Sequence, residues 1–265
     1  MRYPAISGFL AFDKPAGLVS RYICDRLQRI YLRNTKFGHC GTLDPLASGV
    51  IVVAVGSATR LLRWLPDSKT YEAVIALGVG TDTDDVLGRV TTLRPLAARP
   101  SDADLEVALR SFTGTTDQVP PAFSAVRYAG KRAFHAALAL GADNVQLTAR
   151  PVTAHSISFE GWVESGEVAD GLEPEGAASE PGPQQSVARA SEAPFQEHAD
   201  PTSGGTTPLP SPESALAQAA GPAFPRLRLR VQTLSGFFVR SLARDHGRAL
   251  PGPGSSSGGD PSAPR

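Results

Sequence analysis

Residues 164–223 set the strongest limit on what this chain can fold into. The stretch carries ten acidic residues against one arginine, and Pro, Glu, Ser and Ala dominate it with scarcely a large apolar side chain. Such a segment buries too little apolar surface to offset the entropy of ordering it, so it is predicted to be disordered. A structureless loop of this length inside a compact domain is unusual. Its composition marks an insertion rather than a missed element. The tail from Pro251 to Arg265, PGPGSSSGGDPSAPR, reads the same way. The folding material is therefore residues 1–163 and 224–250, one domain interrupted once.

That division changes the meaning of the charge. The whole chain balances 26 Lys/Arg against 26 Asp/Glu, yet residues 1–163 hold 18 basic side chains against 14 acidic, and residues 224–265 hold seven against two. A basic body masked by an acidic insertion admits a polyanionic partner without requiring one. The apolar fraction of 41% suffices for a core. The longest apolar run, Val50 to Val55, is strand length, far short of the roughly 20 residues of a membrane span. The patch before Asp13 is too short for a signal-peptide core. Cys24 and Cys40 match no metal-ligand spacing and make no disulfide framework. The composition thus predicts a cytoplasmic protein of a reducing compartment, without membrane or metal.

Strands and helices alternate without a βαβ rhythm. GVIVVAV (Gly49–Val55) reads as a buried strand, and YEAVIAL (Tyr71–Leu77) as another after the Pro66-Asp67-Ser68 turn. RLRLRVQ (Arg226–Gln232) alternates strictly, with Leu227, Leu229 and Val231 inward and Arg226, Arg228 and Arg230 outward. Ser101 caps a helix whose first turn is acidic and whose Leu105, Leu109 and Phe112 share a face. Lys131 to Leu140 is predicted helical, with Phe134, Ala137 and Leu138 inward and Gly141 as its stop. The predicted class is α+β around a central mixed or antiparallel sheet flanked by helices and loops.

Four features invite chemistry. GHCGTLDPLASG (Gly38–Gly49) is too rich in Gly and Pro for a helix or strand interior, so it reads as a structured loop presenting His39 and Asp44. Its plain alternative is a turn in which Asp44 satisfies backbone N–H groups. GVGTDTDDVLG (Gly78–Gly88) gathers Asp82, Asp84 and Asp85, but the position of the twelfth calcium-loop ligand is Leu93, so an acidic turn bonding its own backbone is favoured over a metal site. Arg240 stands among apolar residues in GFFVRSLARDHG, where a buried cation needs a carboxylate. The alternating arginines at 226–230 suit a solvated sheet face or a phosphate contact.

Taken in order, GFLAFDKPAGLVS (Gly8–Ser20), GHCGTLDPLASGVIVVAVGSATRL (Gly38–Leu61), KTYEAVIALGVGTDTDDVLGRV (Lys69–Val90), QVPPAFSAVRYAGKRAFHAA (Gln118–Ala137), LTARPV (Leu147–Val152) and SGFFVRSLARDHG (Ser235–Gly247) closely resemble the bacterial TruB family of tRNA pseudouridine synthases. The resemblance covers nearly all of the folding material. It implies the pseudouridine synthase fold and isomerisation of a T-loop uridine of tRNA, conventionally position 55, to pseudouridine. The N1 glycosidic bond breaks, the uracil turns, and C5 joins the same ribose carbon. No cofactor and no metal is implied. By resemblance Asp44 is the nucleophile on the ribose or the base, and Arg240 is its cationic partner. Tyr71 stacks on the flipped uracil and takes part in C5 proton removal. His39 holds the flipped-out loop, Gly41, Thr42 and Leu43 of the motif line the substrate, and Lys14 and the Arg226–Arg230 face contact phosphates. The implied partner is the T-arm of tRNA, met by a monomer.

The sequence departs from the family at four places. Cys40 follows the motif histidine in place of Thr or Ser, Phe134 stands for Tyr, and Phe237-Phe238-Val239 precede Arg240 in place of Thr-Tyr-Ile. After the DHG block the expected strand, helix and RNA-binding PUA domain give way to the Pro251–Arg265 tail, so no PUA domain is expected. Three rivals follow: an inactive tRNA-binding or folding protein of this fold, a guide-RNA-dependent synthase, and a metal-dependent hydrolase built on Asp82, Asp84 and Asp85.

Overall fold

The computed structural model describes residues 6–31, 35–163 and 224–250. The regions predicted to be disordered, 164–223 and 251–265, lie outside them. The chain runs β1 (Gly8–Lys14), α1 (Ser20–Tyr31), β2 (Phe37–Cys40), β3 (Gly49–Val55), a 3-10 stretch (Gly56–Trp64), β4 (Lys69–Ala76), β5 (Val79–Thr81), β6 (Val90–Leu93), α2 (Asp102–Arg110), β7 (Gly114–Gln118), β8 (Arg127–Tyr128), β9 (Lys131–Arg132), α3 (Ala133–Leu140), β10 (Arg150–Val163), β11 (Arg226–Thr233) and α4 (Val239–Ala249). The class is α+β, as expected. The sheet is not single: among the described residues β1-β3-β2 and β4-β11-β10-β7 form separate sheets, with β5-β6 and β8-β9 as hairpins, and every pairing is antiparallel.

The four-stranded sheet carries the main core. Leu227, Leu229 and Val231 of β11 are fully buried, joined by Ile75, Val152 and Ala154 from neighbouring strands, Leu105 and Leu109 from α2, and Phe237 and Leu242 near or on α4. Burying each leucine fully contributes about 1.5–3 kcal/mol. Ser101 caps α2 through its Oγ, which accepts from the Asp104 N–H at 3.2 Å. In the smaller sheet Ile51 and Val53 bury against Ile23, Cys24 and Leu27 of α1. Both cysteines are free. Strand β10 ends at Val163 opposite Arg226 of β11. The chain thus leaves and re-enters the sheet at partnered positions, on either side of residues 164–223. No described helix is long and apolar enough to cross a membrane.

Helix α3 departs from expectation. It begins at Ala133 because Lys131 and Arg132 pair with Tyr128 and Arg127 across a turn at Ala129 and Gly130, both at positive φ. Ala133 and Ala137, one helical step of four apart, form its buried stripe, whereas Leu138 is 72% exposed. Leu138 lies one residue beyond that stripe and so turns off the buried face.

Candidate active site

The loop from Gly41 to Ser48 joins β2 to β3, so His39 and Cys40 belong to an edge strand and the loop begins only at Gly41. Its backbone is fastened from below. Ser20 Oγ donates to the Leu43 carbonyl at 3.0 Å and accepts from the Leu43 N–H at 3.0 Å. The Gly17 N–H donates to the Pro45 carbonyl at 2.7 Å. Lys14, completely buried, donates to the carbonyls of Leu18 at 2.8 Å, Pro15 at 3.0 Å and Pro45 at 3.4 Å. Burial pushes the Lys14 ammonium below its usual range, and the Asp44 carboxylate partly restores it. The expectation that Lys14 meets a phosphate is therefore wrong. An ammonium with no exposed surface, committed to three carbonyls, is a fastener for this loop. Leu43 is partly buried and packs against the α1 core. His39 Nδ1 lies 2.5 Å from the Gly41 carbonyl, which requires that nitrogen to carry the proton. Thr42 is exposed and Gly41 is half-buried at φ +76°.

Asp44 emerges from this loop with its carboxylate 39% exposed and held by Arg240 of α4. Nε donates to Oδ2 at 2.7 Å and Nη2 to Oδ1 at 2.9 Å, a two-pronged pairing. The guanidinium is only 12% exposed. It also donates to the Thr83 carbonyl at 2.9 Å and the Phe123 carbonyl at 3.0 Å, and its Nη1 lies 3.6 Å from Asp85 Oδ2. Each Asp44 oxygen keeps a further lone pair, so the carboxylate is oriented and still open to a reaction partner. Among the described residues the Asp44 carboxylate bonds to Arg240 and the turn that begins here is closed by the backbone alone, the Ala47 N–H donating to the Asp44 carbonyl at 3.1 Å.

Helix α4 is placed by contacts on either side of Arg240. The Gln118 amide brackets Phe238, donating to its carbonyl at 3.1 Å and accepting its N–H at 2.9 Å. Ser241 Oγ donates to the Val119 carbonyl at 2.8 Å. Arg244, one turn after Arg240, donates to Asp84 at 2.8 Å, to the Val119 carbonyl at 2.8 Å and to Asp245 at 2.9 Å.

The acidic turn is tied up by these arginines and by its own backbone. Asp82 accepts the Arg89 N–H at 2.8 Å, and Asp85 accepts the Thr83 hydroxyl at 2.7 Å and the Leu87 N–H at 2.9 Å. Burial raises the Asp84 carboxyl above its ordinary range, against the opposing pull of Arg244. Among the described residues no three His, Cys, Asp or Glu side chains converge as metal ligands. Gly88 lets the turn close, since a Cβ there would collide with Thr83 Oγ1.

Tyr71 of β4 lies half-buried beside Val231 on the core-facing side of the sheet. Burial, and then the nearby negative charge of Asp44, push its phenol up. Register places Arg230 opposite Glu72 and Arg228 opposite Val74, so the arginine row occupies the other face of the sheet from Tyr71. Arg230 pairs there with Glu72 at 3.1 Å. The row thus lies on the face of the sheet away from Tyr71.

Asp44 and Arg240 thus meet directly with Tyr71 near them, His39 and Lys14 fasten the loop that carries Asp44, and the arginine row lies on the other face of the sheet from Tyr71. Sequence reasoning singled out Asp84 and Asp85 as an acidic turn and missed their pairing with Arg244 and Arg240, and it missed Gln118. One signal was present: Arg240 and Arg244 stand four apart on one helix face and require acids, which the adjacent Asp245 and the acids of the turn offered.

Comparison with known proteins points one way. The sequence pattern described as TruB family pseudouridylate synthase (N terminal domain) matches residues 29–170. The chain is 45% identical over 155 residues to tRNA pseudouridine synthase B of Synechococcus sp. strain CC9311, covering 58% of this chain and 51% of the relative. It is 42% identical over 191 residues to the protein of that name from Cereibacter sphaeroides ATCC 17023, covering 70% and 59%. The chain therefore spans about half to three-fifths of the length of these curated relatives. A chain in the crystal structure of a Cbf5-Nop10-Gar1 complex superposes with a TM-score of 0.48 at 22% identity, over 92% of this chain and 44% of that one, too loosely to argue from.

Proposed function

This chain belongs to the TruB family of pseudouridylate synthases, and from that premise we propose that it isomerises the T-loop uridine of tRNA, at position 55, to pseudouridine. The observation that carries the reading is the Asp44 carboxylate: fixed at both oxygens by Arg240, part-exposed, and close enough to Tyr71 to raise its phenol. A nucleophile must stay ionised and aimed, and a paired guanidinium supplies both conditions. The uridine leaves its stack and rests on the Tyr71 ring, which offsets part of the lost stacking. Asp44 bonds covalently to the ribose or the base, the N1 bond breaks, the uracil turns, C5 bonds to the same ribose carbon, and the bond to Asp44 breaks to return the free carboxylate. C5 loses a proton and N1 gains one, so atoms and charge balance with no net oxidation, which is why no cofactor or metal is called for. Tyr71 remains a neutral phenol near neutral pH and serves as platform and proton relay. His39 helps fill or hold the flipped-out RNA loop. The partner is the T-arm of tRNA, and the enzyme acts as a monomer in the cytoplasm.

The test is tritium release from a tRNA transcript labelled at uridine C5, without added metal. Wild type should release tritium, Asp44→Asn should not, and changing the target uridine to cytidine should abolish release. Asp44→Asn should still bind tRNA within a few-fold of wild type. Equal release by wild type and Asp44→Asn would overturn the assignment.

A further inference from the structure

We propose that Lys69 and Ser235 together form the contact that holds a backbone phosphate of the flipped nucleotide. The inference rests on the uridine isomerisation proposed above and adds the site that anchors its substrate.

Lys69 begins β4 two residues before Tyr71, so their side chains share one face of the sheet, about 7 Å apart along the strand. Its stem crosses the motif loop at Gly41: a Cβ on Gly41 would lie 3.4 Å from Lys69 Cε and 3.6 Å from Nζ. Its ammonium donates to the hydroxyl of Ser235 at 3.2 Å. Ser235 opens the turn between β11 and α4, the helix that carries Arg240. Three segments that bear Asp44, Tyr71 and Arg240 thus meet at this ammonium.

Among the described residues no carboxylate pairs with Lys69, whereas Arg240, Arg244 and Arg230 each have one. One ammonium proton goes to Ser235 Oγ, which leaves two N–H donors on Lys69 and the O–H of Ser235. Three donors and one uncompensated positive charge at a part-exposed point suit a phosphate oxygen. With the base on Tyr71 and the ribose at Asp44, what remains of the nucleotide is its phosphates. Lys69 leaves β4 two residues before Tyr71, and its ammonium reaches over Gly41 of the loop that carries Asp44.

The experiment measures affinity of the full chain for a T-arm RNA hairpin across 50–200 mM salt, alongside tritium release by the same wild-type preparation. Lys69→Met should weaken binding and flatten the plot of log affinity against log salt by about 0.7–0.9, the value of one lost phosphate contact. The wild-type advantage should then shrink about threefold between 50 and 200 mM. Lys69→Arg should retain the wild-type slope, and Ser235→Ala should weaken binding at unchanged slope. Parallel salt lines for wild type and Lys69→Met, with wild type active, would overturn this contact alone and leave Lys69 as a structural clip. A wild type that neither binds the hairpin nor releases tritium would overturn both this contact and the isomerase reading.

Discussion

Arg240 and Asp44 share a two-pronged pairing, yet the structure predicts that removing either partner has very different consequences. Arg240→Met takes a guanidinium that is 12% exposed and leaves four acceptors behind: Asp44, Asp85 and the carbonyls of Thr83 and Phe123. Asp85 is itself only 12% exposed, so its charge would face a low-dielectric site with no cation. Breaking a buried pair from one side costs about 3–5 kcal/mol. For a domain of this size that is a fall in Tm of roughly 6–20 °C. Asp44→Asn keeps the guanidinium bonded to both carbonyls and near Asp85, and Asp44 is 39% exposed. Its loss should cost about 1 kcal/mol or less, as for exposed pairs. Both variants should be inactive, so activity cannot separate the roles, but urea unfolding followed by circular dichroism can. If Arg240→Met unfolds within 1 kcal/mol of Asp44→Asn, the view of Arg240 as the joint between three segments is wrong.

Other perturbations test other parts. His246 is fully buried with neither ring nitrogen bonded among the described residues, and burial pushes its pKa below 6.5. The unfolded chain then binds the extra proton first, so stability is full above about pH 6.5 and falls as pH drops towards the lowered value. His246→Leu should remove that slope and stabilise the fold by about 1–3 kcal/mol at neutral pH, and an unchanged slope in a pH series of unfolding would refute it. Gly88→Ala should push Thr83 and the turn away from Arg240, lowering tritium release at least tenfold for an overpacking cost of about 1–3 kcal/mol. Replacing residues 164–223 by a short turn should leave Tm unchanged or raise it, because Val163 and Arg226 are already partners and the loop-closure cost drops by about 2 kcal/mol. A fall of Tm on that replacement would show that the segment contributes to the core.

Local pattern carried much of this molecule. The alternation Leu227, Leu229, Val231 made one strand face apolar whatever lay around it, because side chains in a strand alternate with period two. The Ser101 cap and the acids after it depended on bonds within four residues. The GTLDP motif and its order among the other blocks were legible as a family resemblance, and with them Asp44, Tyr71 and Arg240. What sequence could not determine was which face of each element meets which partner. Lys14 is a cation in a turn motif, and only the packing of α1 and the loop over it turns a plausible phosphate contact into a buried fastener. The arginines of β11 alternate visibly, but register against β4 decides that they point away from Tyr71. Asp85 and Arg240 stand 155 residues apart, and no local rule joins them. Their pairing exists because two sheets, a turn and a helix converge on one guanidinium, and burial there makes each charge depend on the others.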